Sequence, residues 1–369
     1  MSEEIELGYT ADYHVHLRQG KMMEVVTKSV TPGGVSIAYI MPNLSPPITD
    51  IDRVVEYKAS LEAISPKTTF LMSFYLCKEL TPELVEKAAK MGAIQGIKCY
   101  PAGVTTNSTD GVDPNDFSAF YPIFKVMEDN DLVLNLHGEK PSVSKKHGES
   151  HESSEDIHVL NAEPKFLPAL FKLHSDFPNL RIVLEHCTTK EAIEAMHKLN
   201  SDLKAGEQPK VVASITAHHL YLTIDDWAGN PINFCKPVAK LPEDKRALIG
   251  AALSGKPYFI FGSDSAPHEL SKKSLHIGVC AGVYTQPYAI SYVAEVFHQY
   301  GQIGKLKNFV STFGNAFYSI DESKLKSKDK CVIVKKEFKV PEVLIDNNIT
   351  IAPFLPGSTL QWSVEWTSS

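Results

Sequence analysis

The sequence predicts an α/β chain built as a (β/α)8 barrel, and three observations carry that prediction. Roughly eight short apolar runs of β character alternate with helical patterns along the chain of 369 residues. Residues with useful side-chain chemistry recur at the ends of those runs, where a barrel gathers distant strand ends into one mouth. The first run also lacks the glycine-rich phosphate turn that the competing architecture, a doubly wound open sheet, would favour.

The elements follow in order. The acidic start, Met1 to Glu6, lacks the basic flank and apolar core of a secretory signal. The first strand carries Asp12-Tyr13-His14-Val15-His16-Leu17-Arg18, and an extended backbone turns His14, His16 and Arg18 to one face. Val35 to Ile40 is an apolar strand stopping at Met41-Pro42-Asn43, and residues 52–63 read as a helix. The third strand is Thr69 to Leu76. Thr81-Pro82-Glu83 then opens a helix with a cap residue, a proline and an acid in its first turn.

Ala93 to Tyr100 is the fourth strand, and the polar, glycine-punctuated segment from Pro101 to Val112 suits a loop over the mouth. Leu132 to Glu139, Leu180 to His186, Val211 to Thr216 and Tyr258 to Asp264 complete the set, with a polar insertion from Lys140 to His158. Beyond Pro267 we expect helices near 287–300 and 306–313 and a strand at 330–334. No linker separates this tail, so we expect a single domain over 1–369, with a barrel core over about 9–320 and a C-terminal extension over about 321–369 packed on it.

Composition narrows the function classes. Charged residues make up 22% and the formal charge is -7, with no basic cluster suited to nucleic acid or an anionic membrane surface. No apolar run reaches membrane-spanning length. Six cysteines, at 77, 99, 187, 235, 280 and 331, lack zinc-knuckle spacing and read as reduced thiols of a cytoplasmic protein.

The strand ends supply His14 and His16, Asn43, Lys98, His137, His186 and Asp264. Four imidazoles and an aspartate suit zinc and exceed what one tetrahedral ion uses, so two ions sharing an anionic bridge and a hydroxide are expected. Lys98 cannot ligate as an ammonium. Buried at the end of an apolar strand it would lose its proton and could add carbon dioxide, giving a carbamate with two bridging oxygens. The competing reading has Lys98 paired with Asp264 or with a substrate carboxylate. Asp264 could bind a metal and shuttle a proton to a leaving nitrogen, or act as a ligand only. The reaction class is hydroxide attack on a polarised amide-type carbonyl, or its reversal.

At this point the residues resemble a known family. His14-Val15-His16, Lys98, His137, His186 and Asp264 match in order the metal-binding pattern of the amidohydrolase superfamily, whose members are TIM barrels. Flanking words resemble its short, bacterial-type (type II) dihydroorotase class: Met-Pro-Asn-Leu at 41–44, Gly-Ile-Lys-Cys-Tyr-Pro-Ala-Gly-Val-Thr-Thr-Asn-Ser at 96–108, Glu-His-Cys-Thr-Thr at 185–189 and Gly-Ser-Asp-Ser-Ala-Pro-His at 262–268.

The resemblance implies reversible cyclisation of N-carbamoyl-L-aspartate to L-dihydroorotate in pyrimidine synthesis, on two zinc ions bridged by carboxylated Lys98. It implies His14, His16 and Asp264 on one zinc and His137 and His186 on the other, with Asp264 as general acid and base. Arg18, Asn43 and His268 would hold the substrate α-carboxylate, with Ala281 among the substrate-binding residues. Thr105 and Thr106 resemble a lid pair, and a homodimer is usual.

Some positions depart from the pattern. Lys236 stands where the bacterial class carries an apolar residue, so its side chain would either tilt away or add charge. His147, His151 and His158 in the insertion are expected to be solvated, and His218 and His219 to play supporting or structural roles. The rival readings are another cyclic amidase of hydantoinase or allantoinase type and a non-catalytic scaffold. The early His14 and the retained Arg18 and Asn43 argue against the first, and the complete ligand set against the second.

Overall fold

Eight parallel positions close a barrel around the buried ends of the sequence motifs. The computed structural model describes residues 3–102, 111–141, 157–274 and 278–367. The strands in chain order are β1 (Glu4–Gly8), β2 (Ala11–Val15), β3 (Ile37–Ile40), β4 (Thr69–Leu71), β5 (Ser73–Tyr75), β6 (Gly96–Cys99), β7 (Val133–His137), β8 (Arg181–Glu185), β9 (Val211–Ile215) and β10 (Phe259–Phe261). The tail adds β11 (Cys331–Lys339), β12 (Leu344–Asp346), β13 (Ile349–Ile351) and β14 (Thr359–Trp366).

The barrel run is β2-β3-β4 followed by β5-β6-β7-β8-β9-β10. The third predicted strand is therefore two short pieces, β4 and β5, interrupted at Met72, whose N–H donates to the Gln95 side chain at 2.8 Å. Every barrel strand except the outermost residues is buried, so the apolar runs read from the sequence are strands covered on both faces. Register is parallel throughout and aligns Tyr75 with Lys98 and Lys98 with Asn135. His137 in turn aligns with Glu185.

Helices fill the crossovers: α1 (Gly20–Thr27), α2 (Ile51–Ile64), α3 (Pro82–Lys90), α4 (Tyr121–Asp129), α5 (Ala162–Asp176), α6 (Lys190–Leu199), α7 (Ile224–Trp227), α8 (Pro242–Leu253), α9 (Ala289–Gln299) and α10 (Phe313–Phe317). Three of their starts obey the side-chain signals: Asp50 accepts from Arg53 N at 2.8 Å, Thr81 from Leu84 N at 3.3 Å and Thr189 from Ala192 N at 3.2 Å. The helix expected at 306–313 is instead a widened π turn, Asn308–Thr312, leading into α10. Among the described residues no helix is long and apolar enough to cross a membrane.

The tail lies on the barrel, and it recruits a strand the sequence reading missed. β1 pairs antiparallel with β11, which pairs with β14, so the two ends of the chain share one small sheet. The alternation of Ile5 and Leu7 with glutamates was the available signal. Phe354 anchors the loop before β14: its N–H donates to Tyr284 O at 2.8 Å, and its ring packs edge-on against Tyr292.

Gly96 shows how tightly the strands fit. A Cβ there would sit 2.2 Å from the Val133 carbonyl oxygen and 2.6 Å from the Tyr39 hydroxyl. Gly96→Ala should lower the free energy of unfolding by about 1–3 kcal/mol through overpacking, read as an earlier denaturant midpoint with an unchanged slope.

Candidate functional site

The mouth of the barrel is assembled across the seam between first and last strands. Asp264 N donates to His14 O at 2.8 Å and His16 N to Ser265 O at 3.0 Å. Asp12 binds both sides of that seam, its Oδ1 accepting from Ser263 N at 2.7 Å and His14 N at 3.1 Å. Three residues of the mouth, Arg18, His186 and Asp264, have left-handed backbones with φ of 60°, 41° and 45°. Such conformations cost of order 1–3 kcal/mol each and persist where surrounding structure dictates them. Here they redirect side chains at the points where strands end.

That correction applies to Arg18. The extended period expected from His14 through Arg18 stops at Val15, and a left-handed turn brings the guanidinium to the pocket. The pocket is lined by His14, His16, Arg18, Asn43, Tyr100, His137, His186, Lys236, Asp264, Ala266, Ala281 and Gly282. Lys98 lies behind this lining, fully buried, and Thr105 and Thr106 fall outside the described residues.

The imidazoles share one design. Each of three has one nitrogen against an outer partner and the other nitrogen turned inward. His14 Nδ1 is 2.9 Å from Glu185 Oε2 and its Nε2 is 3.3 Å from Asp264 Oδ1. His16 Nδ1 donates to Asn43 Oδ1 at 2.9 Å, and its Nε2 faces Asp264 Oδ1 at 3.1 Å. His137 Nε2 donates to Glu139 Oε2 at 2.8 Å, freeing Nδ1. His186 is placed through its backbone, whose N–H donates to Ser214 Oγ at 2.7 Å, and its Nδ1 has no hydrogen-bond partner among the described residues. The His137 and His186 ring centroids are 4.6 Å apart, and those of His14 and His186 5.0 Å.

Electrostatics prepares these groups as ligands. Burial lowers the His16 pKa to about 4, lowers that of His137, and pushes that of His186 well below the usual imidazole range. Burial alone would raise Asp264, yet His14 holds it well below the carboxylate range. Burial likewise pulls His14 down, but Glu185 and Asp264 outweigh it and raise the pKa.

Lys98 is the outlier. Its ammonium is fully buried, finds no hydrogen-bond acceptor among the described residues, and lies 5.1 Å from the Tyr100 ring centroid. The pairing with Asp264 weighed from the sequence is absent as a contact, and burial lowers the Lys98 pKa to about 8.

These features fit a metal centre. A neutral His16 turns an imidazole lone pair toward a carboxylate oxygen, a repulsive contact unless a cation lies between. His14, His16 and Asp264 each offer a ligand atom within 4.8 Å of the others. The carboxylate or amide behind each inward-facing imidazole is the outer-shell arrangement that metal-binding histidines require.

The substrate-side residues are also connected. Arg18 donates through Nε to Pro267 O at 2.9 Å, and its Nη2 is 3.1 Å from His268 Nε2, which is 3.0 Å from Ala281 O. One nitrogen cannot accept from the guanidinium and donate to the carbonyl together, so the imidazole tautomer decides which bond forms. Asn43 does more than predicted, since it also orients His16.

Sequence reasoning gave no role to Glu185, Glu139, Asn135 or Asp12. Glu185 takes a bond from Asn135 Nδ2 at 2.7 Å and from the Ser214 hydroxyl, and Asn135 accepts from Tyr39 OH at 2.8 Å. Their signal was adjacency: Glu185 precedes His186 and Glu139 follows His137 by two positions. His219 is held by Thr216 at 2.9 Å and Pro237 O at 3.0 Å, whereas both nitrogens of buried His218 lack partners among the described residues. His158 is exposed; His147 and His151 lie outside the described residues.

Fold and site together define an amidohydrolase-type barrel enzyme. No family model matches the chain. It is 61% identical to the dihydroorotase of Saccharomyces cerevisiae over 99% of both chains, and 49% identical to a probable dihydroorotase of Schizosaccharomyces pombe over 96% of this chain and 97% of that one. A crystal structure of the Saccharomyces cerevisiae enzyme in complex with 5-fluoroorotic acid superposes with a TM-score of 0.96 at 60% identity, covering 99% of each chain. The chain belongs to the dihydroorotase family, whose short type II class it fits, and it is a cyclic amide hydrolase.

Glu185→Gln keeps the shape behind His14 and removes the charge. Metal affinity, measured by competition with a chelator, should fall about 10–100-fold. Unchanged affinity would reduce Glu185 to a framework residue.

Proposed function

We propose that this enzyme interconverts N-carbamoyl-L-aspartate and L-dihydroorotate, with two zinc ions held by His14, His16 and Asp264 on one side, His137 and His186 on the other, and carboxylated Lys98 between. The observation that carries the reading is the Lys98 ammonium, buried without an acceptor among the described residues yet within the electrostatic reach of His14, His137, His186 and Asp264. A buried cation so placed is unstable, whereas the amine available at its lowered pKa of about 8 can add carbon dioxide and become the missing anion. Zinc there would polarise the amide-type carbonyl and make water acidic enough to attack at neutral pH.

The chain's own groups do the rest. Arg18 presents its guanidinium to the carboxylate that both ligands share, with Asn43, His268 and Ala281 completing that wall. The Saccharomyces cerevisiae relative bound to 5-fluoroorotic acid, a pyrimidine carboxylate, supports this assignment. Asp264 Oδ1, facing both His14 and His16, takes a proton from the attacking water during ring opening and returns it to the departing ring nitrogen. In ring closure the same oxygen removes the proton of the ureido nitrogen. Thr105 and Thr106 are assigned to covering the bound ligand, and the protein to working as a cytoplasmic homodimer.

Zinc-loaded protein should turn over L-dihydroorotate and neither hydantoin nor allantoin; the reverse preference would defeat the reading. Lys98→Ala should lose turnover and zinc together and regain part of both with short carboxylic acids, followed by metal content and initial rate. Closure takes up one proton, so the equilibrium ratio of ring to open chain should rise about tenfold for each unit fall in pH near neutrality.

A further inference from the structure

One charged side chain of the pocket has no task in that scheme. Lys236 lines the mouth with Arg18, Tyr100, His137 and Ala281, and is half-buried. It thus shares one lining with the candidate ligands His137, His186 and Asp264 as well as with Arg18. Arg18 is bound into the wall after the last strand, through Pro267 and His268.

Two neighbouring lysines shape this wall. Lys240 is 3.6 Å from Glu139 Oε1 and donates to Val238 O at 3.0 Å. Lys273 donates to Phe234 O at 2.8 Å, Cys280 O at 3.0 Å and Gly282 O at 2.8 Å, one acceptor for each ammonium proton. That staple ties the segment carrying Lys236 to the segment carrying Ala281, so both stay on the pocket wall.

Resting on the substrate assignment above, we propose that Lys236 is a second cation for the substrate, a specificity-determining side chain that favours the open-chain dianion over the ring monoanion. Closure joins a carboxylate carbon to the ureido nitrogen, releases water and takes up a proton, so the two ligands differ by one full charge at the reacting end. Arg18 matches the carboxylate that both carry. A second cation in the same pocket attracts the ligand that still bears the second charge more strongly than the one that has lost it. Because that charge fades as the ring forms, Lys236 tightens binding of the open chain more than it lowers the barrier to closure.

The test must respect the equilibrium constant, which fixes the ratio of kcat/KM in the two directions. Any substitution changes both kcat/KM values by one factor, and selectivity appears in how that factor divides between KM and kcat. We expect zinc-loaded Lys236→Met to raise KM for N-carbamoyl-L-aspartate roughly threefold to fivefold, the size of one partly screened ion pair. Its KM for L-dihydroorotate should hardly move, and the loss in that direction should fall on kcat. Added salt should raise the open-chain KM of the wild type more than that of Lys236→Met, and Lys236→Arg should restore wild-type behaviour. Equal KM changes for both ligands, or none, in a variant with wild-type zinc content would overturn the inference. A wild type that turns over neither ligand would overturn the substrate assignment, and this inference with it.

Discussion

The mouth of this barrel depends on a seam of main-chain hydrogen bonds between its first and last strands. Asp264 N to His14 O and His16 N to Ser265 O join residues at opposite ends of the chain's barrel portion, and the Asp12 carboxylate accepts from both sides. Were the seam to slip by one residue, the side-chain alternation of a strand would send His14 and His16 into the wrong layer. The burial of Asp12, whose pKa desolvation lifts to about 6, is the cost of holding that register from inside.

Around the seam the protein keeps titratable groups out of water and then pairs nearly all of them. Glu185 is satisfied by Asn135 and Ser214 and faces His14; Glu139 lies between His137 and Lys240. Such a network is costly if one member is missing, because each remaining group is left buried without a partner. It rigidifies the imidazoles and fixes which nitrogen points inward. Lys98, seated in the same low-dielectric region without an acceptor among the described residues, and the Nδ1 of His186 are points at which those residues do not complete the network.

The wall of the pocket proposed for the substrate is built differently, from loops after the strands and not from the strands themselves. Arg18 arrives by a left-handed turn, and Ala281 and Lys236 are held by a lysine that caps three carbonyl oxygens. Rigid strands thus carry the groups that must meet within ångströms. Loops, free to change in length and composition, carry the groups proposed to distinguish one ligand from another.

Much of this was legible in the sequence. Both-face burial makes barrel strands continuous apolar runs, and helix starts carry their own capping residues, so Val211 to Ile215 or Thr81-Pro82 could be placed without coordinates. The candidate ligands were legible because each ends a strand. The sequence did not reveal β1, since a strand of alternating glutamates becomes one only when β11, far along the chain, pairs with it. Nor did it reveal the break at Met72, the turn at Arg18 or the partners Glu185 and Glu139. Local propensity and period are written residue by residue, and these the sequence determined by itself. Register across the seam, the choice of inward nitrogen on each imidazole and which of its two expected courses the Lys236 side chain takes were decided only by tertiary structure, because hydrogen bonding and desolvation act between residues whose proximity exists only after the barrel has closed.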